Sequence, residues 1–396
     1  VNDNIIEVKN ITKLYGINKK EASRMMKENS NKDDVYKKTG VTVALWDVSF
    51  EVKKGEIFVI IGLSGSGKST LVRCFNQLLK PTSGEIIYEG RNIETFNKSE
   101  LLEYRRNKIS MVFQNFGLMS HRNVMDNVAY GLEVKGTAKD ERQKRALEMT
   151  RLVGLEGWEH KSIESLSGGM KQRVGLARAL ASNPEVLLMD EPFSALDPLV
   201  RRDMHFELLS IQRKLGKTVI FITHDINEAF KLGDKVAIMK DGIIVQIDTP
   251  ENMSTNPVDD YVKKFIDSAD KTKVLSVKNI MITPSCLVRE SDSPKNAIRE
   301  MQQNSVSTAY AVDSRMVYKG IVSIDDALRA GKENLKLFDV INKDVMTTSE
   351  DTLLSEILPM AAEAKYPIAV LNGGGVLKGI VTKTSVLSSL AEREET

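Results

Sequence analysis

Nine consecutive residues constrain this chain more than any other part of it: Gly62, Leu63, Ser64, Gly65, Ser66, Gly67, Lys68, Ser69 and Thr70. They follow the apolar run EIFVIIGL (56–63) and lead into the helix-periodic stretch TLVRCFNQLL. A short continuous apolar run of this kind reads as a strand buried on both faces of a sheet. A glycine-rich turn between such a strand and a helix lets successive backbone N–H groups face one anion, and the helix N-terminus adds partial positive charge. Lys68 supplies a full charge for the β- and γ-phosphates of a nucleotide, and the Ser69 hydroxyl is a ligand for Mg²⁺. The pattern predicts an α/β protein with a mainly parallel sheet and a triphosphate cradle at the carboxyl end of its strands.

Two more apolar strands, PEVLLMDEP (184–192) and KTVIFITHD (217–225), end in polar groups that belong to the same chemistry. Asp190 suits the Mg²⁺ shell, and Glu191 suits a base that polarises the attacking water. His224 ends its strand where it can reach a γ-phosphate. Gln114, closing ISMVFQ, is placed to sense both metal and water. Ser167, Gly168 and Gly169 precede the apolar-periodic run MKQRVGLARAL and form a second anion-friendly helix start. If two copies met head to tail, each such start would face the other copy's γ-phosphate.

The chain has 396 residues, which at roughly 100–200 residues per domain predicts two or three domains. Lys+Arg number 56 against 54 Asp+Glu, a balance that argues against a dedicated nucleic-acid binder. The longest apolar run, Ile57–Leu63, is far short of the about 20 residues a helix needs to cross a bilayer. The opening residues read as no secretory signal, and the distant Cys74 and Cys286 read as buried small hydrophobes, so a cytosolic setting is expected. Between about 104 and 165 the apolar strands stop and a helical insertion is expected, whereas the charged stretch 17–43 reads as a surface helix and a loop. Residues 256–279 read as a linker. Beyond it VYKGIVSIDDALRA (317–330) is repeated as VLKGIVTKTSVLSSL (376–390), each unit reading as an extended piece, a helix, two strands and a helix.

These residues resemble the ABC ATPase family, a P-loop NTPase fold, over about residues 5–255. GLSGSGKST resembles its Walker A motif, Gln114 its Q-loop, LSGGM (166–170) its signature, VLLMDE (186–191) its Walker B, SALD (194–197, ending in Asp197) its D-loop, and His224 its switch histidine. The resemblance implies a dimer holding two ATP at its interface. In that dimer Lys68, Ser69, Gln114, Asp190, Glu191 and His224 act within one copy, with Ser69, Gln114 and Asp190 about the Mg²⁺. Ser167 and Gly169 act on the other copy's nucleotide. Tyr15 is similar to the family's adenine-stacking aromatic. Met170 stands where the family usually has Gln, and 17–43 is longer than the usual connection.

The finer similarity is to the ATP-binding subunit of glycine betaine/proline importers, carried by FQNFGLMSHRNVMDNVAYGLEVKG (113–136), by the Met of the signature, and by a C-terminal repeat that resembles paired CBS modules. It implies an ATPase domain over 1–255 and an α+β CBS pair at 280–335 and 336–396. It also implies a membrane permease as partner, alone or fused to the substrate-binding protein, and a place on the cytoplasmic face of the membrane. In the first module Gly320, Ser323 and Asp326 fit the pattern that holds ribose and phosphate; in the second Thr382 is kept but Ser385 replaces the Asp. Cyclic di-AMP or AMP is the expected regulator there, the alternative being a dimerisation module with no ligand. Lys263, Lys264, Lys271, Lys273 and Lys278 are an expected contact for anionic lipid that salt screens. One ATPase unit without a heptad run sets aside a soluble ABC ATPase acting on nucleic acid or ribosomes; another quaternary amine or proline is the alternative solute.

Overall fold

A computed structural model describes residues 3–28, 30–267, 272 and 274–391, in two compact units, Val1–Ala269 and Asp270–Thr396. The first unit is built on β1 (Asn4–Tyr15), β2 (Thr42–Lys53), β3 (Ile57–Ile61), β4 (Ser83–Tyr88), β5 (Arg91–Asn92), β6 (Ile109–Val112), β7 (Val186–Asp190), β8 (Thr218–Thr223), β9 (Lys235–Lys240) and β10 (Ile243–Asp248). One sheet has the order β10-β9-β3-β8-β7-β6, parallel except for β10. The other is antiparallel, in the order β2-β1-β4-β5. Every residue of β3, β7 and β8 is buried, as a strand covered on both faces requires. Phe58, Phe75, Leu188 and Ile220 are part of the core that joins the two sheets.

Two sequence expectations need correction. Residues 109–112 are not part of the helical insertion, since they form β6, parallel to β7 at the sheet edge. The helices that follow, Val124–Lys135 and Lys139–Leu152, pack against each other and against Gly168–Ala181. The charged stretch 17–43 is more than one surface helix and a loop. It holds two helices, Lys19–Lys27 and Lys32–Thr39, the second started by the Asn31 side chain and ended by Gly40 in the left-handed region. Ala22, Met25 and Val35 form a small core there with Leu14, Val41 and Val43. Their wide spacing among lysines hid that apolar face.

In the second unit each repeat is a strand, a helix, two strands and a helix. β11 (Leu287–Arg289), β12 (Thr308–Val312) and β13 (Tyr318–Ser323) form one sheet; β14 (Thr347–Ser349), β15 (Ile368–Leu371) and β16 (Leu377–Val381) form the other. The repeats exchange their leading segments. Leu275, Val277 and Ile280 lie in the core of the second repeat, and Leu337, Val340 and Ile341 in that of the first. Gly320 is required at this exchange: its φ is 138°, and a Cβ there would stand 2.2 Å from the Asn342 carbonyl oxygen.

Candidate active site

β3 delivers the 62–70 loop at its carboxyl end, and the helix Lys68–Phe75 starts directly behind it. Leu63, Ser64 and Gly65 are exposed, whereas Ser66 and Lys68 are buried, and Gly67, Ser69 and Thr70 are partly so. Gly67 has φ 101°, and a Cβ there would meet the Ala44 carbonyl at 2.5 Å, so only glycine lets the chain turn this tightly into the helix. The turn between β9 and β10 supports the loop from behind: Gly242 N–H donates to the Ser66 carbonyl (3.0 Å), and Trp46 N–H on β2 donates to the Gly242 carbonyl (2.8 Å). The Ser66 hydroxyl oxygen is buried and has no hydrogen-bond partner among the described residues. An orphaned polar atom beside a helix N-terminus suits an anion.

Lys68 is 5% exposed, and its ammonium donates to the carbonyls of Gly62 (2.8 Å) and Leu63 (3.2 Å). Burial lowers its pKa, while the charges of Glu191 and Asp190 raise it in part. Ser69 Oγ donates to Asp190 Oδ1 at 2.8 Å, and the guanidinium of Arg73 lies 3.5 Å from Asp190 Oδ2. A hydroxyl and a nearly buried carboxylate at one strand end form a hard oxygen donor set that fits Mg²⁺.

Glu191 stands at the centre of the polar groups. Its φ is 44°, a left-handed conformation unusual for a residue with a side chain, held by its N–H donating to Ile222 O (3.1 Å) and by Ser194 Oγ donating to its carbonyl (2.9 Å). Its carboxylate lies 3.9 Å from Lys68 Nζ, 3.5 Å from Gln114 Nε2 and 3.1 Å from His224 Nδ1. A carboxylate only accepts, so Nδ1 of His224 carries the proton in that contact.

Ser167 caps the helix Gly168–Ala181 through Met170 N–H (3.3 Å), so the Met side chain leaves the helix start intact. Gly168 and Gly169 pack close to Leu196 and Val200, which joins this helix start to the 194–197 loop. No hydrogen bond or ion pair among the described residues links Ser167–Gly169 to the 62–70 loop of the same chain. Asp197 caps the helix Pro198–Leu215, accepting from Leu199 and Val200 N–H. Tyr15 ends β1, is 41% exposed, and has Lys13 Nζ 5.0 Å from its ring centre.

In the second unit Ser323 and Asp326 engage each other. Ser323 Oγ donates to the Asp326 carboxylate (2.6 Å) and accepts from Asp326 N–H (3.1 Å). Thr382 and Ser385 make the equivalent local cap, Thr382 Oγ1 accepting from Ser385 N–H (2.9 Å) and Ser385 Oγ accepting from Thr382 N–H (3.1 Å). The replaced Asp keeps its capping role through a hydroxyl but loses its charge.

An open cleft of about 490 Å³ lies beside Gln114, lined in part by Leu102, Phe113, Met119, Tyr130, Val134 and Arg178. Behind the site lie polar residues that motif reading missed: Arg201, His205, Thr223 and Glu228. The available signal was His205 among Met204, Leu208 and Ile211, the residues the helix Pro198–Leu215 buries.

Residues 45–194 match the ABC transporter family, and residues 277–333 and 337–392 match the CBS domain. The glycine betaine transport ATP-binding protein OpuAA of Bacillus subtilis is 47% identical over 98% of this chain and 93% of its own length. The glycine betaine/proline betaine transport system ATP-binding protein ProV of Salmonella typhimurium is 41% identical over 97% of each chain. Among solved structures, the dimeric ATP-binding cassette MJ0796 in a post-hydrolysis state with ADP and Pi aligns with a TM-score of 0.53 at 34% identity, covering 62% of this chain and 99% of that one. The chain belongs to the ATP-binding subunits of ABC transporters, ATPases coupled to transport across a membrane. No helix among the described residues is itself long and apolar enough to cross one.

Proposed function

We propose that this chain works as one half of a symmetric pair that hydrolyses ATP to drive import of glycine betaine or a closely related compatible solute. The convergence of Lys68, Gln114 and His224 on the Glu191 carboxylate carries the catalytic part of this reading. Lys68 and the N–H groups of 62–70 bind the β- and γ-phosphates. Glu191 orients the lytic water and takes its proton, while His224 faces the γ-phosphate and holds Glu191 in place. Ser69 and Asp190, with Gln114, are the residues that would hold Mg²⁺, which when bound offsets phosphate charge. Ser167 and Gly169, which no hydrogen bond or ion pair among the described residues links to their own cradle, are assigned to the partner copy's nucleotide, with Asp197 beside them. The dimeric state of the MJ0796 cassette supports that pairing.

The solute rests on the relatives, whose names specify glycine betaine and proline betaine. The cleft next to Gln114, flanked by 113–136, is the docking place for the permease, which puts the chain on the cytoplasmic face of the membrane. Tyr15 stacks on adenine. The CBS pair is a regulatory site for an adenine nucleotide, cyclic di-AMP or AMP, with Ser323, Asp326 and Thr382 near its phosphate or ribose and Gly320 shaping the wall. A thermal shift with either nucleotide tests that. Lys263 and Lys264, in the first unit, supply an anionic-lipid contact, and Lys278, in the second, supplies one of its own; Lys271 and Lys273 lie outside the described residues.

The deciding experiment is Glu191→Gln in the assembled transporter. ATP binding is expected to persist while turnover falls by roughly 10²–10⁴-fold, the usual contribution of a general base. Hydrolysis within a few-fold of the unaltered protein would reassign the base. Assaying which osmolyte stimulates the ATPase of the native complex tests the solute separately.

A further inference from the structure

Behind the site lies a buried carboxylate that no motif uses. Glu228, on the helix Ile226–Leu232, is 6% exposed. A carboxylate that far from water persists only with several donors. Glu228 has them from two separate elements. His205 Nε2, on the helix Pro198–Leu215, lies 2.9 Å from Oε1, and the Thr223 hydroxyl at the end of β8 donates to Oε2. Arg201 Nε stands 3.9 Å from Oε1 and has no hydrogen-bond partner among the described residues.

Each donor leads somewhere functional. Thr223 immediately precedes His224, and its oxygen also accepts from Asp225 N–H (3.0 Å), so the residues on both sides of His224 are held by one hydroxyl. Arg201 donates to the Leu196 carbonyl (3.0 Å) and lies 3.7 Å from Asp225 Oδ2. Leu196 belongs to the 194–197 loop, whose first residue, Ser194, holds the strained Glu191 backbone. The contacts thus close a ring: Glu191, the 194–197 loop, Arg201, Glu228, Thr223, His224 and back to Glu191.

We propose that Glu228 is a positioning residue that couples the 194–197 loop to His224, so that a displacement of that loop by the partner copy resets the Glu191–His224 contact. Glu228 touches no reacting atom in this scheme. The proposal rests on the reading above in which Glu191 and His224 act on the nucleotide.

The test uses the full chain in its assembled transporter, with Glu228→Gln removing the charge at constant shape. Expected are a fall in kcat of about ten-fold or more, a KM for ATP within about two-fold, and an ATP Hill coefficient falling toward one. A purely structural role would move the melting temperature and the active fraction but leave the cooperativity of the remaining molecules intact. Arg201→Gln combined with Glu228→Gln is expected to lose no more than the worse single variant, because both act through one ring. If Glu228→Gln does not fold, Thr223→Val removes only the donor beside His224 and must show the same loss in kcat at constant KM. Unchanged kcat and cooperativity in the folded variant, or fully additive losses with Arg201→Gln, overturn the proposal. Glu191→Gln and His224→Ala run in parallel separate the two readings. If they are inactive while Glu228→Gln is normal, only the coupling fails; if they remain active, the site assignment itself fails.

Discussion

Burial draws the Lys68 ammonium toward its neutral form, and the carboxylates of Glu191 and Asp190 only partly oppose this. The consequence for binding has a definite sign. Phosphate binds the charged form, so nucleotide raises the pKa of Lys68 and its binding takes up protons where the free lysine is deprotonated. Affinity for ATP therefore declines as pH climbs through the depressed value, a decline that sets in below the ordinary lysine value of 10.5. Equilibrium binding of a labelled nucleotide from neutral pH upward reads this directly. Lys68→Met, with no group to titrate, binds weakly and lacks the step. A decline that begins only above 10.5 would mean that burial does not control this lysine. At this scale Lys68 and Glu191 were legible because their partners lie in short local patterns at strand ends. Glu228 was not, because its partners Thr223, His205 and Arg201 are assembled by packing; it stands among the buried apolar residues Ile226, Ala229, Phe230 and Leu232 of a seven-residue helix, and a Glu in so short a segment carries no sign in the sequence that its side chain is buried too.

Elements were legible where periodicity was unmixed. β3, β7 and β8 stood out because burial on both faces demands unbroken apolar runs. β6 did not, since its four residues at the sheet edge include Ser110 and adjoin a basic helical turn. The repeat in the second unit was visible as repeated residues, but not the exchange of leading segments, because which core a short apolar segment enters is decided by tertiary contacts. That exchange makes equivalent glycines unequal. At Gly320 an added methyl meets the Asn342 backbone at 2.2 Å with φ at 138°, whereas at Gly379 the nearest atoms are 3.1 Å away and include the flexible Met281 side chain. Gly320→Ala is expected to destabilise the second unit by on the order of 2 kcal/mol, and Gly379→Ala by clearly less. Thermal unfolding of the full chain, with proteolysis locating the loosened unit, checks the order. Equal losses at the two positions would show that the exchange leaves the repeats equivalent there.

For the whole molecule the decisive matter is whether one nucleotide is gripped by two copies. Among the described residues of one chain no hydrogen bond or ion pair joins the Ser167 cap to the Lys68 cradle, yet each has the form of an anion site. A closed two-fold pair resolves this by giving every nucleotide one Lys68 and the partner's Ser167. Two defective variants then test it together. Lys68→Ala spoils the cradle, and Ser167→Arg fills the opposite cap with bulk and like charge. In a mixed pair one interface joins the intact cradle of one copy to the intact cap of the other, while the second interface collects both defects. Mixing the variants is therefore expected to restore about one quarter of the trapped nucleotide, since half of randomly formed pairs are mixed and each keeps one good interface of two. Placing both changes in the Glu191→Gln background, and measuring ATP retained after rapid removal of free nucleotide, makes the result independent of whether one interface can turn over alone. If cradle and cap served the same copy, no mixed pair would contain a sound site. Mixtures that form pairs by light scattering and still retain no ATP would place the cap outside the nucleotide site.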